Sequence, residues 1–428
     1  MTETSVERAQ CCVAGCGPAG ALLGLLLARA GVEVLVLEKH RDFLRDFRGD
    51  TIHASTLTVI DELGLGEELS RLPLRPTARM RVVTDDGVFH LADFRRLPGR
   101  HRAIAMLPQW DFLEFLTRAA SASPSFRLRR EAEVVGLLWS GQRVCGLRYR
   151  RSDGSLTEVR ADLVIAADGR TSTVRAAAGM RVRDFGAPID VLWFRLPRRD
   201  SDRPNESFGR VAPGCFLAFI DRGAYWQIAY VVKKDGAEAV RSLGLDAFRS
   251  SLTRLVPHLA DRVADIASWD DVKELTVRVD RLRRWWRPGL LCVGDAAHAM
   301  SPIGGVGINL AVQDAVAAAN RIALPLEEGR LRWWHLARVQ ARRQPPTVAT
   351  QALQRLMQRG FLANVVSGRA GRRTPGLVRL LDRVPALQSV PAYLVGVGLL
   401  PEHPAPRLRS PVKVTRSPVS TSSSDEDG

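Results

Sequence analysis

The sequence predicts an α/β fold in which a Rossmann-like unit is interleaved with an antiparallel sheet and followed by a helical C-terminal segment. Three observations predict it. A glycine-rich turn joins two short apolar strands near the N-terminus, two further strand–turn–helix passages occupy residues 162–175 and 290–314, and aromatic residues mark strand-like runs within 185–285. At 428 residues the chain is long for one hydrophobic core. Its 46% hydrophobic and 25% charged residues are ordinary for a globular protein.

Residues 10–14 read as a short buried strand. Gly15-Cys16-Gly17-Pro18-Ala19-Gly20 then turns into an apolar helix, 21–30, and a second strand over 32–37 ends at Glu38. This is the βαβ pattern of a dinucleotide site. Gly15 allows the tight turn, Gly17 lets the backbone approach a pyrophosphate, and Gly20 lets helix and strand pack closely. The phosphates meet the helix N-terminus that Pro18 and Ala19 open, where the free N–H groups of the first turn favour negative charge. Glu38, followed by Lys39, is placed to accept hydrogen bonds from a ribose diol. Such an acid suits FAD or NAD better than NADP.

The run 162–167 is an apolar strand that breaks into Asp168-Gly169-Arg170-Thr171-Ser172 and then a helix. Asp168 and Gly169 thus stand at a strand's carboxyl end, where α/β folds place ligands. A second apolar strand, 290–293, delivers Gly294 and Asp295 to another turn, with Asp295 facing ribityl or ribose hydroxyls. A glycine-rich loop follows, and an apolar helix starts at about Ile308. Its unpaired N–H groups point toward a cofactor and would stabilise negative charge on a reduced flavin.

Gly294-Asp295-Ala-Ala-His298, Pro302 seven residues after Asp295, and Gly305-x-Gly307-x-Asn309 follow a recognisable pattern. They resemble, nearly position by position, the Gly-Asp motif of the single-component (group A), para-hydroxybenzoate-hydroxylase-like flavin monooxygenases, which include ubiquinone-biosynthesis hydroxylases. Asp168-Gly169, with Ser172 and Arg175, resembles their Asp-Gly motif. The resemblance implies a glutathione-reductase-type FAD-binding domain in three parts, 1–75, 106–184 and 286–330. It also implies a substrate domain in two, 76–105 and 185–285, with helices over 331–404 and a disordered tail over 405–428.

The resemblance further implies FAD held by Gly15, Gly17, Pro18, Ala19, Gly20, Glu38, Lys39, Arg48, Gln109, Asp168, Gly169, Gly294, Asp295, Pro302, Gly305, Gly307, Ile308 and Asn309. Pro302, Gly305 and Arg48 are the catalytic candidates; His53, Trp193 and Trp226 are those for substrate, and no metal is expected. His298 reads as a support of its turn. The implied reaction uses NADPH or NADH as a transient co-substrate and O2, and hydroxylates an aromatic or other electron-rich small molecule through a flavin C4a-hydroperoxide. Two alternatives share the fold: an FAD-dependent reductase of the prenyl saturase type, and a non-catalytic FAD-binding protein. Disulfide reductases would need a second Gly-x-Gly-x-x-Gly turn and a redox cysteine pair. Flavin halogenases would show a Trp-x-Trp-x-Ile box, and the run 225–228 reads instead as a strand.

The remaining features narrow the class. The net charge is +16, carried almost wholly by scattered Arg with no basic run interleaved with aromatics, so a nucleic-acid partner is not expected. None of the six cysteines forms a Cys-x-x-Cys pair, and buried thiols in a reducing cytosol are expected. The apolar run 21–28 is short of the roughly 20 residues that span a bilayer. The expectation is a cytoplasmic enzyme without a transmembrane segment, its oligomeric state unread.

Overall fold

A computed structural model describes residues 5–44, 51–202, 207–368 and 374–409. An eight-stranded sheet runs in the order Trp286–Arg287, Leu290–Cys292, Leu156–Ala166, Ser5–Ala14, Val34–Leu37 and Phe126–Arg129. The hairpin Ala132–Ser140 and Arg143–Arg151 attaches antiparallel to Leu156–Ala166. Ser5–Ala14 is central: Ala14 is in register with Ala166 on one side and Leu37 on the other, all parallel. Because parallel strands end together, Gly15, Glu38 and Asp168 leave the same edge of the sheet. Cys11, Cys12, Val13 and Ala14 are all fully buried, as a parallel strand covered on both faces requires.

The helix Pro18–Arg29 has no polar face to offer water. Leu22, Leu23, Leu25, Leu26 and Leu27 are all fully buried. A helix apolar all round must be covered on every side. The sheet lies beneath it, and the helices Gln109–Ser121 and Gly307–Glu327 pack along it.

The second sheet has seven strands, in the order Lys273–Leu275, Ile189–Pro197, Tyr225–Lys233, Cys215–Asp221, Phe208–Ala212, Arg79–Thr84 and Gly87–Asp93. It therefore draws on two stretches separated by about a hundred residues of the first sheet's chain. Period-two alternation gives it two distinct faces. Leu192, Phe194, Leu217, Phe219, Trp226 and Ile228 pack with Phe248 and Leu252 of helix Leu245–Leu255. On the reverse, Val191, Trp193, Phe216, Ala218 and Ala229 cluster with Ile303. A three-stranded sheet, Thr51–Ile52, Ile104–Met106 and Arg75–Thr77, adjoins it.

The C-terminal part is helical, over Trp333–Met357, Ala363–Val366, Gly376–Arg383 and Ser389–Gly396. Past Pro404, where no burial was expected, a helical turn Pro406–Arg409 places Leu408 fully buried in the first core. That expectation fails on one apolar side chain in a polar stretch, which composition does not register. Residues 410–428 lie outside the described residues. No described helix is long and apolar enough to cross a membrane. Of the six cysteines, all free, only Cys145 is not buried, and burial pushes the Cys215 thiol up to about 12.

Candidate active site

Three turns meet at the carboxyl edge of the first sheet. Gly15 has φ of +95°, and a Cβ there would lie 2.5 Å from the Ala167 carbonyl oxygen and 2.8 Å from Asp168 Cα. Backbone against backbone leaves no room for a side chain. A Cβ on Gly20 would lie 2.0 Å from the Gly15 carbonyl oxygen, whereas Gly17 faces open space. The turn is packed on its inside and open on its outside, where the N–H groups of Pro18–Arg29 emerge with no acid in the first turn. Glu38, 6% exposed, accepts hydrogen bonds from the backbone N–H of Cys16 and of His40, each 3.1 Å. It thereby fastens the second strand's end to the glycine turn. Lys39 beside it is exposed.

Asp168 follows the strand Leu156–Ala166. One carboxylate oxygen accepts the Val174 N–H at 3.1 Å; the other is buried with no partner among the described residues. Burial pushes the Asp168 pKa up, against the opposing pull of Ser172 and neighbouring N–H groups. A buried acceptor without a donor suits a ligand hydroxyl. Arg170, next along past Gly169, pairs with Asp295 at 3.6 Å. A Cβ on Gly294 would lie 3.2 Å from Ala19 Cβ and 3.4 Å from Ala311 Cβ. This glycine thus lets the third turn close onto the first helix and sets Asp295 beside the first turn.

A single buried carboxylate supports that closure. Asp314 accepts from the Gly294 N–H at 3.0 Å, His298 Nε2 at 2.6 Å and Arg343 Nε at 3.1 Å. Burial would raise its pKa, but His298, Arg343 and Gly294 together hold it below the usual carboxylate range. His298, 1% exposed, packs against the Trp285 ring and turns its Nε2 to Asp314 on the helix Gly307–Glu327.

The loop Pro302–Gly305 turns through the left-handed region, with Gly304 and Gly305 at φ of 75° and 64°. A Cβ on Gly305 would meet Thr51 Oγ1 at 2.2 Å. The Gly305 carbonyl faces His53 Nε2 at 3.1 Å, and His53 Nδ1 faces the Val395 carbonyl at 2.5 Å. A neutral imidazole has one N–H, so it donates to one of these carbonyls; only the imidazolium donates to both. Burial lowers the His53 pKa, outweighing the upward pull of the two carbonyls. Beyond the loop, Gly307–Glu327 begins with open space at Gly307 and no acid in its first turn. Ile308 and Asn309 are buried, and the Asn309 side-chain carbonyl accepts from the Ser55 and Thr56 hydroxyls, each at 2.8 Å.

His53 therefore stands behind the loop, fully buried, rather than at an open surface. Trp193 lies on the sheet face that clusters with Ile303, and its indole N–H is buried without a partner among the described residues. Trp226 lies on the opposite face, between Phe208 and Phe219, with Nε1 donating to Asp202 at 3.0 Å. It is brought nowhere near the loop, because Trp193 pairs with Ala229 and odd-numbered positions of Tyr225–Lys233 share that face. Gln109 stands half-buried at the start of helix Gln109–Ser121. Arg48 lies outside the described residues. Sequence reasoning missed Thr51, Ser55, Thr56 and Arg343. Their partners are distant in the chain, and nothing local to them signals it.

The residues present fit a flavin dinucleotide: an open glycine turn at a helix N-terminus, an orphaned carboxylate oxygen and a second acid-free helix start.

Comparison with known proteins agrees. A family model described as FAD binding domain matches residues 8–355. The 6-methylpretetramide 4-monooxygenase of Streptomyces rimosus is 35% identical over 383 residues, covering 89% of this chain and 90% of that protein. The 3-demethoxyubiquinol 3-hydroxylase of Escherichia coli K12 is 26% identical over 381 residues, covering 85% and 92%. Among solved structures, the OxyS anhydrotetracycline hydroxylase of Streptomyces rimosus aligns with a TM-score of 0.72 at 23% identity, covering 91% of this chain and 76% of that one. That last likeness is one of fold.

Proposed function

The chain belongs to the FAD binding domain family and is an FAD-dependent monooxygenase (hydroxylase); from that premise we propose that it uses NAD(P)H and O2 to hydroxylate an aromatic or other electron-rich small molecule. The balance is one substrate C–H, O2, NAD(P)H and a proton giving one C–OH, water and NAD(P)+. The observation that carries this reading is the loop Pro302–Gly305 set against the sheet face bearing Trp193. Between a cofactor-facing loop and a flat aromatic wall, a planar substrate has a natural place.

When bound, FAD supplies the reduction by nicotinamide and the activation of O2. The protein supplies holding, orientation and charge. The N–H groups of Gly17 and Ala19, at the start of the helix Pro18–Arg29, receive the pyrophosphate, while Lys39 stands nearby; Glu38 takes a ribose diol, and Asp168 with Asp295 takes further hydroxyls. Gly169 and Gly294 keep those carboxylates close to the first turn. The helix start at Gly307, Ile308 and Asn309 stabilises negative charge on the reduced ring. Pro302 and Gly305 set the edge of the reaction site, and Trp193 offers its N–H to a substrate oxygen. Arg48 and Gln109 are proposed as further cofactor contacts. The chain has one Gly-x-Gly-x-x-Gly turn, so the nicotinamide is proposed to bind transiently. The three-part and two-part division of the chain given above is proposed as the domain plan.

The test is an absorption spectrum of the purified protein, then NADH and NADPH oxidation with O2 uptake across phenols, quinols and 6-methylpretetramide. Substrate-stimulated O2 uptake with a product heavier by one oxygen supports the reading. A product gaining two hydrogens without O2 uptake sinks it in favour of the reductase.

A further inference from the structure

We propose that the outer surface of the C-terminal helices Gly376–Arg383 and Ser389–Gly396 is a peripheral docking site for an anionic lipid bilayer. In Gly376–Arg383 and its cap, Leu377, Leu380 and Val384 recur at three- and four-residue spacing and are 67%, 47% and 39% exposed. No residue of that helix is buried. Its polar side is turned inward instead: the Asp382 carboxylate accepts the His90 N–H at 2.9 Å and faces the His90 ring at 3.2 Å, pinning the helix to the strand Gly87–Asp93. An amphipathic helix in a globular protein ordinarily does the reverse.

The apolar row continues along the chain. Leu387, Val390 and Tyr393 are 38%, 56% and 39% exposed, through the turn Pro385–Gln388 and into the next helix. Beside Val390 and Tyr393 lies a groove of about 330 Å³ lined also by Leu97 and Leu394, with Arg96 on its wall. Large apolar side chains gathered on one surface mark an interaction site, and a tyrosine among them suits a boundary between apolar and wet surroundings.

Charge chooses the occupant. Asp86 is held by Arg379, Asp382 by His90, and Asp93 by Arg79, Arg95 and Arg96 together. Arg383 is exposed with no ion pair among the described residues. The rim is therefore net positive on a chain whose total is +16. A second copy would bring the same positive rim and the same net charge to the contact, which repels; a bilayer carrying acidic headgroups attracts. Since no described helix can cross a membrane, the contact lies in the interface plane.

The test uses the full chain with its flavin bound, sedimented with phosphatidylcholine vesicles with and without phosphatidylglycerol. Binding at least about tenfold stronger to the anionic vesicles is expected, falling about tenfold in high salt and in a Leu377→Ser, Leu380→Ser double variant. Arg383→Glu, which keeps the apolar row, should weaken anionic binding alone and serves should the double variant lose its flavin spectrum. Equal sedimentation of wild type and both variants, or equal binding to neutral vesicles, overturns the proposal. So does light scattering that shows a dimer dispersed by Leu377→Ser, Leu380→Ser without vesicle binding, since the row then covers a second copy.

Discussion

The two glycine loops of the site are built on opposite plans. In Gly15–Gly20 the close contacts are backbone on backbone and the partners are near in sequence or on the adjacent strand: Ala167, Asp168, and Gly15 itself. In Pro302–Asn309 the close contacts come from side chains roughly 250 residues earlier, Thr51 and His53 at Gly305, Ser55 and Thr56 at Asn309. The first loop is a property of the sheet backbone on which it sits. The second is a property of the whole chain.

The comparison can be broken in several places. The largest effect is expected at Asp314, which ties the turn at Gly294 to His298 and to the distant Arg343. Asp314→Asn leaves Arg343 buried beside a neutral amide and should cost about 3–5 kcal/mol in denaturant unfolding. Because the Asp314 carboxyl is held below its unfolded value, its stabilisation is complete above about pH 4 and lost as pH falls through the folded value. The variant should therefore show a flatter acid limb, and an unchanged one would remove Asp314 from this role.

Next comes Gly15→Ala, expected to cost about 3 kcal/mol from left-handed strain and overlap together and to weaken FAD retention. No second substitution should rescue it, because the obstacle is the Ala167 carbonyl. Gly305→Ala is the contrasting case: its obstacle is the Thr51 hydroxyl, so Thr51→Ala should recover part of the loss in a double-mutant cycle. Equal rescue, or none, at both sites would erase the distinction between the plans.

A smaller effect is expected from Asn309→Ala, which orphans the buried Thr56 hydroxyl and leaves Ser55 only the longer contact to the Gly396 carbonyl, at a cost of about 1–3 kcal/mol. Smallest is His53→Gln, about 1 kcal/mol at neutral pH. The wild-type ring has a pKa lowered by burial, so its share of stability is present above about pH 6.5 and is lost as pH falls toward the folded value. The difference between His53→Gln and wild type should therefore narrow below pH 6.5, measured by thermal unfolding across pH.

The same contrast explains what the sequence made readable. The strand, turn, helix and acid from Gln10 to Glu38 are local, and so are the strand ends at Asp168 and Asp295. The structure starts the first strand at Ser5 and the first helix at Pro18, earlier than periodicity indicated, because Pro at the first helical position is tolerated. The role of His53 was not legible, since its two acceptors, Gly305 and Val395, are brought by topology alone. Trp226 was misplaced for a related reason. Alternation says that Trp226 and Gln227 face opposite ways, but only the pairing register with Ile189–Pro197 says which of them meets the loop. Asp314 ended the motif in plain view, yet its clasp on Arg343 needs the long C-terminal helix in place.

The clasp between His53 and Val395 spans 342 residues, and that separation has a bearing on synthesis. A ribosome adding about 5–20 residues per second needs roughly 20–70 s to deliver the second partner after the first. The glycine turn at Gly15 can close on its own strand pair early in that interval, once Leu156–Ala166 has emerged. The brace behind Gly305 is completed only once residue 395 has been made, so nascent chains stalled before it carry a loop whose His53 still lacks its second carbonyl.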